Sequence, residues 1–70
     1  MRLTKIKLAR LARDRHQFEI AASAGLAQSR LSWIENGHAT PSADELERIA
    51  RALGVTSADL IGDVPTVGQA

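Results

Sequence analysis

The chain has no cysteine and no tyrosine, and Phe18 and Trp33 are its only other large aromatics. Without cysteine there can be neither a disulfide nor a thiolate metal site. His16 and His38 lack the spacing of a zinc pair, so no metal and no cofactor is expected. No apolar run approaches the roughly 20 residues a membrane helix requires. Lys5, Lys7, Arg10 and Arg13 interrupt the stretch where a signal peptide would carry its apolar core. The expectation is a soluble, cytoplasmic protein with no membrane partner. No nucleophile, metal or phosphate-loop constellation appears, so the chain does not read as an enzyme, and no small-molecule ligand is indicated. The period-2 alternation of β-branched residues that marks strands is also missing.

What is present is an uneven distribution of charge. The net charge of +1 conceals seven basic and two acidic side chains in residues 1–30, a balance of +5, against two basic and six acidic in residues 31–70, a balance of −4. A basic half can be a footprint for nucleic acid or for a membrane surface. It can equally be a solvated face. Seventy residues allow one small domain, which at this size buries only about 60% of its unfolded surface.

The apolar spacing is helical throughout. Thr4 is placed to cap a first helix running to about Asp14. At roughly 100° per residue, Leu3, Ile6, Arg10 and Arg13 share one side of it, and Leu8, Leu11, Ala12 and Arg15 another. Two stripes predict a helix sandwiched between neighbours. A second helix fits residues 17–24, with Gly25 at the left-handed position that ends it. A third spans 28–36 and stops at Gly37. Ser42 and Glu45 form a capping box for the fourth, in which each side chain satisfies a backbone N–H of the first turn. Leu46, Ile49, Ala50 and Leu53 are its apolar face, and Gly54 closes it. Ser57 is read as the cap of a short fifth helix through Ile61. The expected organisation is one domain over residues 1–61 and a flexible tail over 62–70.

Residues 17–37 thus have the layout of a helix-turn-helix. The segment "QFEIAASAGLAQSRLSWIENG", followed by "PSADELERIARALGV", resembles the lambda-repressor-like family of DNA-binding domains. That family includes phage repressors, Cro proteins and bacterial regulators of the xenobiotic-response-element type. Gln17, Ala21, Gly25, Gln28, Leu31, Ile34, Glu35, Gly37, Pro41 and Ser42 carry the resemblance, which covers about residues 3–61. It implies an all-α, compact five-helix fold whose third helix enters the major groove.

The residues of that helix suit the task. Leu31 and Ile34 point to one side, while Ser29, Ser32, Trp33 and Asn36 point to the other, flanked by Gln28 and Arg30. Gln28 can pair its amide with the N6 and N7 of adenine, and Ser29 and Ser32 can bond bases or phosphates. Read without a partner, Gln28 is simply an exposed residue at a helix start. Trp33 also has two readings. The matching position in the family faces DNA, where the indole would cover a thymine methyl or a sugar. Alternatively it lies along its helix against its own protein, although its helical angle favours the groove.

Further roles come from the resemblance alone. Gln17 matches a phosphate contact at the start of the second helix, assisted by that helix terminus. Asn36 and His38 match backbone-contacting positions. Arg10 and Glu35 match an internal salt bridge that ties the first helix to the third. There are also departures from the family. Ala27 stands where relatives carry a capping Ser or Thr, and Asp14, Arg15 and His16 replace the usual glycine, apolar and hydroxyl residues. Phe18 is expected to fold inward and replace the apolar group missing at Arg15.

The implied function is a sequence-specific transcriptional repressor. It would bind an inverted-repeat, palindromic operator in double-stranded DNA as a homodimer, pairing through the region after Gly37 and the fifth helix. The rival reading is an antitoxin or other protein-interaction module built on the same helices.

Overall fold

The computed structural model describes residues 3–62, and these form four α-helices and one 3-10 helix: α1 (Lys5–Ala12), α2 (Gln17–Ala24), α3 (Gln28–Glu35), α4 (Ala43–Leu53) and the 3-10 helix Ser57–Leu60. The all-α, helix-turn-helix expectation holds, with the fifth helix reduced to a single 3-10 turn. Most of the expected tail, 63–70, lies outside the described residues.

Three of the helices, α1, α4 and the 3-10 helix, begin where a side chain receives an orphan N–H. Thr4 Oγ1 accepts from the Lys7 N–H at 3.2 Å, and the same hydroxyl donates to the Glu35 carbonyl at 2.8 Å. One buried threonine therefore starts α1 and ties it to the end of α3. Ser42 and Glu45 exchange bonds of 2.9 and 3.1 Å at the head of α4. The last helix is capped one residue earlier than expected, by Thr56, which exchanges two 3.3 Å bonds with Asp59. The reason is reciprocity: Asp59 lies three residues after Thr56 and can return the bond, whereas Leu60, three after Ser57, cannot. Helix α1 also ends sooner than expected, at Ala12, because Asp14 takes a left-handed φ of 57°. Aspartate is among the few residues besides glycine that tolerate this conformation.

The core gathers Ile6, Ile20, Ala21, Ala24, Leu31, Ile34, Ile49, Ala50, Leu53 and Leu60. Ile20, Leu31 and Ile49 are its fully buried centre. The alanines let α2 lie close against α4, and Arg48 of α4 reaches over to cap α2. Its Nη1 donates to the carbonyls of Ala24 and Gly25 at 3.1 and 3.4 Å. The chain closes on itself where the Lys5 N–H meets the Gly62 carbonyl at 3.2 Å.

Two apolar expectations are corrected. Leu8 and Leu11 are 43% and 51% exposed, so α1 is covered on its Ile6–Arg10 side only. Among the described residues, the second stripe meets just the edge of a shallow groove shared with Val55 and Ala58. Phe18 does not fold inward but is 59% exposed, stacked on His16 with centroids 5.6 Å apart. Helical spacing turns it away from Ile20 and Ala24, which occupy the buried side of α2.

Candidate nucleic-acid interface

Helices α2 and α3 are joined by three residues, Gly25, Leu26 and Ala27. Gly25 has φ +69°, and a Cβ there would stand 3.1 Å from Arg48 Nη1. The turn therefore needs glycine for its backbone angle, and the missing side chain leaves Arg48 its place. Leu31 and Ile34 are buried, whereas Gln28, Ser29 and Trp33 are exposed and Arg30, Ser32 and Asn36 half-buried. Ala27 makes no side-chain cap for α3.

Below this outer face lies a polar seam. Arg10 and Glu35 meet in a buried bidentate pair, Nε to Oε2 at 2.8 Å and Nη2 to Oε1 at 3.0 Å. The third guanidinium nitrogen, Nη1, donates to the Arg15 carbonyl at 2.8 Å. Planar guanidinium suits this fork, and every face of the cation has an acceptor. Breaking such a pair costs roughly 3–5 kcal/mol because the remaining charge stays buried. The seam extends toward solvent. Gln17 Nε2 donates to Glu35 Oε1 at 3.2 Å, and Gln28 Nε2 donates to Gln17 Oε1 at 3.4 Å. Gln17 and Gln28, eleven positions apart, are thus neighbours at the mouth of the helix-turn-helix.

Four of the other candidate residues form two pairs. Asn36 Nδ2 donates to Ser32 Oγ at 3.4 Å. Trp33 is 60% exposed and meets the His38 ring edge-on, centroids 6.2 Å apart. Arg30 stands apart from both, forked onto Glu45 at 3.0 and 2.8 Å, with a further 3.4 Å bond from Nη2 to the Thr40 carbonyl. Arg30 therefore links α3 to the start of α4 more than it faces outward with Trp33. Its guanidinium first, and then the Ser42 N–H, hold the Glu45 carboxyl down at about 2. The same pairing raises Arg30. Sequence reasoning missed Thr4, Arg48 and the Arg30–Glu45 pair as ties between helices. Spacing along one helix carries no signal of a partner on another.

Among the described residues, no helix is long and apolar enough to cross a membrane, and no group of three or more His, Asp or Glu could hold a metal ion. Two short helices, a glycine turn, a buried seam and a polar outer face define a helix-turn-helix domain. The family comparison agrees: the helix-turn-helix family matches residues 6–60, and the chain belongs to it, in the lambda-repressor-like group of DNA-binding transcriptional regulators. These are regulators and not enzymes. The chain is similar to the cryptic phage CTXphi transcriptional repressor RstR of Vibrio cholerae, with 32% identity over 63 residues. That alignment takes in 90% of this chain but only 57% of the repressor.

Solved structures give the same fold. The restriction-modification controller protein C.AhdI from Aeromonas hydrophila superposes with a TM-score of 0.78 at 24% identity, covering 81% of this chain and 86% of the controller. At that identity the likeness is one of fold alone. The hypothetical transcription factor NHTF from Neisseria gives 0.76 at 27% identity, over 84% of this chain and 68% of the factor. The SinR protein/SinI protein complex gives 0.74 at 37% identity, over 80% of this chain and 55% of the matched chain.

Proposed function

We propose that this chain is a transcriptional repressor that reads an inverted-repeat operator in double-stranded DNA as a homodimer, with α3 in the major groove. The observation that carries the reading is the division of α3. Leu31 and Ile34 anchor it in the core, while Gln28, Ser29, Ser32 and Trp33 line the opposite side without an acidic residue among them. A major groove about 12 Å wide accepts such a helix.

Gln28 pairs with adenine, Ser29 and Ser32 bond bases or nearby phosphates, and Trp33 covers a thymine methyl or a sugar face. Gln17, Asn36 and His38 hold the phosphate backbone and set the register. Arg30, paired with Glu45, stands at the rim of the DNA-facing side and braces α3 for that contact. The buried Arg10–Glu35 pair fixes α3 against α1. The dimer forms on the groove between the loop after Gly37 and the 3-10 helix, where Ala39, Pro41 and Ile61 leave an apolar surface with Ile61 62% exposed. Pairing there sets two recognition helices about one DNA turn, ~34 Å, apart.

Selection of genomic fragments by the purified protein, followed by sequencing and sedimentation of the complex, tests this. The expected result is an enriched inverted repeat bound by two copies. Enrichment of no shared sequence, or a single copy on an asymmetric site, would overturn it.

A further inference from the structure

The two histidines of the chain occupy matching places around the helix-turn-helix. His16 is exposed and immediately precedes Gln17, which meets Gln28 at the start of α3. His38 is exposed in the loop that follows the end of α3. Each imidazole lies against one of the two large aromatics. His16 is stacked on Phe18 with the rings 11° from parallel, and His38 meets Trp33. Eight residues of α3 span about 12 Å, so the imidazoles flank the start and the end of its reading side.

The charges around them are otherwise engaged. On the His16 side, Arg15 and Glu19 face each other at 3.8 Å, Arg10 is buried on Glu35, and Arg13 and Asp14 belong to the preceding turn. On the His38 side, Arg30 is forked onto Glu45. Among the described residues neither imidazole is paired with a carboxylate. Gln17 and Asn36, the phosphate contacts of the reading above, are neutral. Histidine is the side chain whose charge ordinarily changes between pH 5 and 8. Its protonated ring donates from both nitrogens, and such charge-assisted bonds suit a phosphate oxygen.

We propose that DNA binding by this domain is proton-linked: His16 and His38, when protonated, each grip a backbone phosphate, so affinity rises as the pH falls through the neutral range. This rests on the DNA reading above and adds to it His16 as a phosphate contact and pH as a regulator of the site. The sign follows from linkage. A phosphate stabilises the imidazolium, so the bound state holds more protons than the free one. Affinity is then highest below the ordinary histidine value of about 6.5 and falls as the pH rises through the bound-state value. A rise of about half to one pKa unit on binding corresponds to a three- to sixfold gain per histidine between pH 8 and pH 6. Ordinary carboxylates do not titrate in that window.

Anisotropy titrations at pH 6 and pH 8, on one labelled DNA fragment recovered by the genomic selection, test the proposal. They compare the wild type with His16→Gln, His38→Gln and the double variant. Glutamine keeps a neutral hydrogen-bonding group, and both positions are exposed, so the variants should melt as the wild type does. Wild-type affinity per copy should rise about ten- to fortyfold from pH 8 to pH 6. Each single variant should keep about three- to sixfold of that response, and the double variant should be nearly flat. The salt slope should be steeper at pH 6 than at pH 8 by up to about 0.9 for each histidine present. A purely structural role for a histidine would instead lower affinity equally at both pH values. A wild-type response below about twofold, a single variant that responds as fully as the wild type, or a response retained in the double variant would overturn the proposal and leave the DNA reading intact. Absence of binding at both pH values would overturn the DNA reading, and the proton linkage with it.

Discussion

Trp33 is the only tryptophan of the chain, and 60% of it is exposed. The core is built from isoleucine, leucine and alanine alone, so the indole contributes little to holding the fold. Its place on the outer side of α3, edge-on to His38, suits an aromatic whose burial is supplied by a partner. Gln28 is the polar counterpart at the start of the same helix. Gln28→Ala should cost roughly 1–3 kcal/mol on the cognate operator and almost nothing on DNA altered at the base pair it faces. A binding matrix of both proteins against single-substitution operators reads this, and an equal loss on every operator would show that Gln28 reads no base.

At the scale of elements, capping and pairing decide which helices form and how they meet. Gly25→Ala must place a Cβ at φ +69° and 3.1 Å from Arg48 Nη1. A loss of roughly 1–2 kcal/mol is expected from the backbone alone, measurable by denaturant unfolding. The α3–α4 tie makes a prediction about pH. Glu45 has its folded value held down at about 2, below that of the unfolded chain. Its stabilisation is therefore fully present above about pH 4.5 and lost as the pH falls toward 2. Glu45→Gln keeps the capping box but removes the charge facing Arg30. The variant should be less stable by about 0.5–1 kcal/mol above pH 5, since the Arg30 side of the pair is 40% exposed. Thermal melting should show that gap closing as acid is added, and a constant gap would contradict the assignment.

These elements also show which signals the sequence carried. Gly25, Gly54 and the Ser42–Glu45 box mark α2 and α4 because capping is local chemistry written within four residues. The end of α1 at Asp14 and the start of the 3-10 helix at Thr56 are less legible, since neighbouring residues there compete to end or begin a helix. Leu8, Leu11 and Phe18 were expected to be covered, but apolar spacing gives the faces of a helix and not the number of neighbours it meets. Arg30 flanks the outer side of α3 in the sequence pattern, yet its fork depends on where Glu45 of α4 lies, fifteen residues away. The link from Glu35 through Gln17 to Gln28 is likewise tertiary.

For the whole molecule, the charge asymmetry of +5 against −4 invites the thought that the basic first half binds DNA by charge alone. The structure distributes those cations differently. Arg10 is buried on Glu35, Arg30 is forked onto Glu45 and Arg15 lies 3.8 Å from Glu19. In the proposed complex, phosphate contacts would then fall mainly to neutral groups, Gln17, Asn36 and the helix termini. Each neutralised phosphate adds about −0.9 to the slope of log affinity against log salt, so the slope per copy should be shallow, on the order of two to four. A titration across salt concentrations checks this, and a much steeper slope would show that the cations of α1 dominate binding.

If α3 itself enters the DNA, the protein carries its own reporter for that event. Trp33 is the sole tryptophan and stands on the outer side of α3, so its emission follows that helix without any substitution. Titrating the protein with an operator fragment, while fluorescence anisotropy of labelled DNA confirms binding, should shift or quench the indole emission. It should also protect the indole from acrylamide, with both changes saturating at the stoichiometry of the complex. Binding seen by anisotropy with emission and acrylamide access unchanged would place the DNA elsewhere on the molecule and contradict the account.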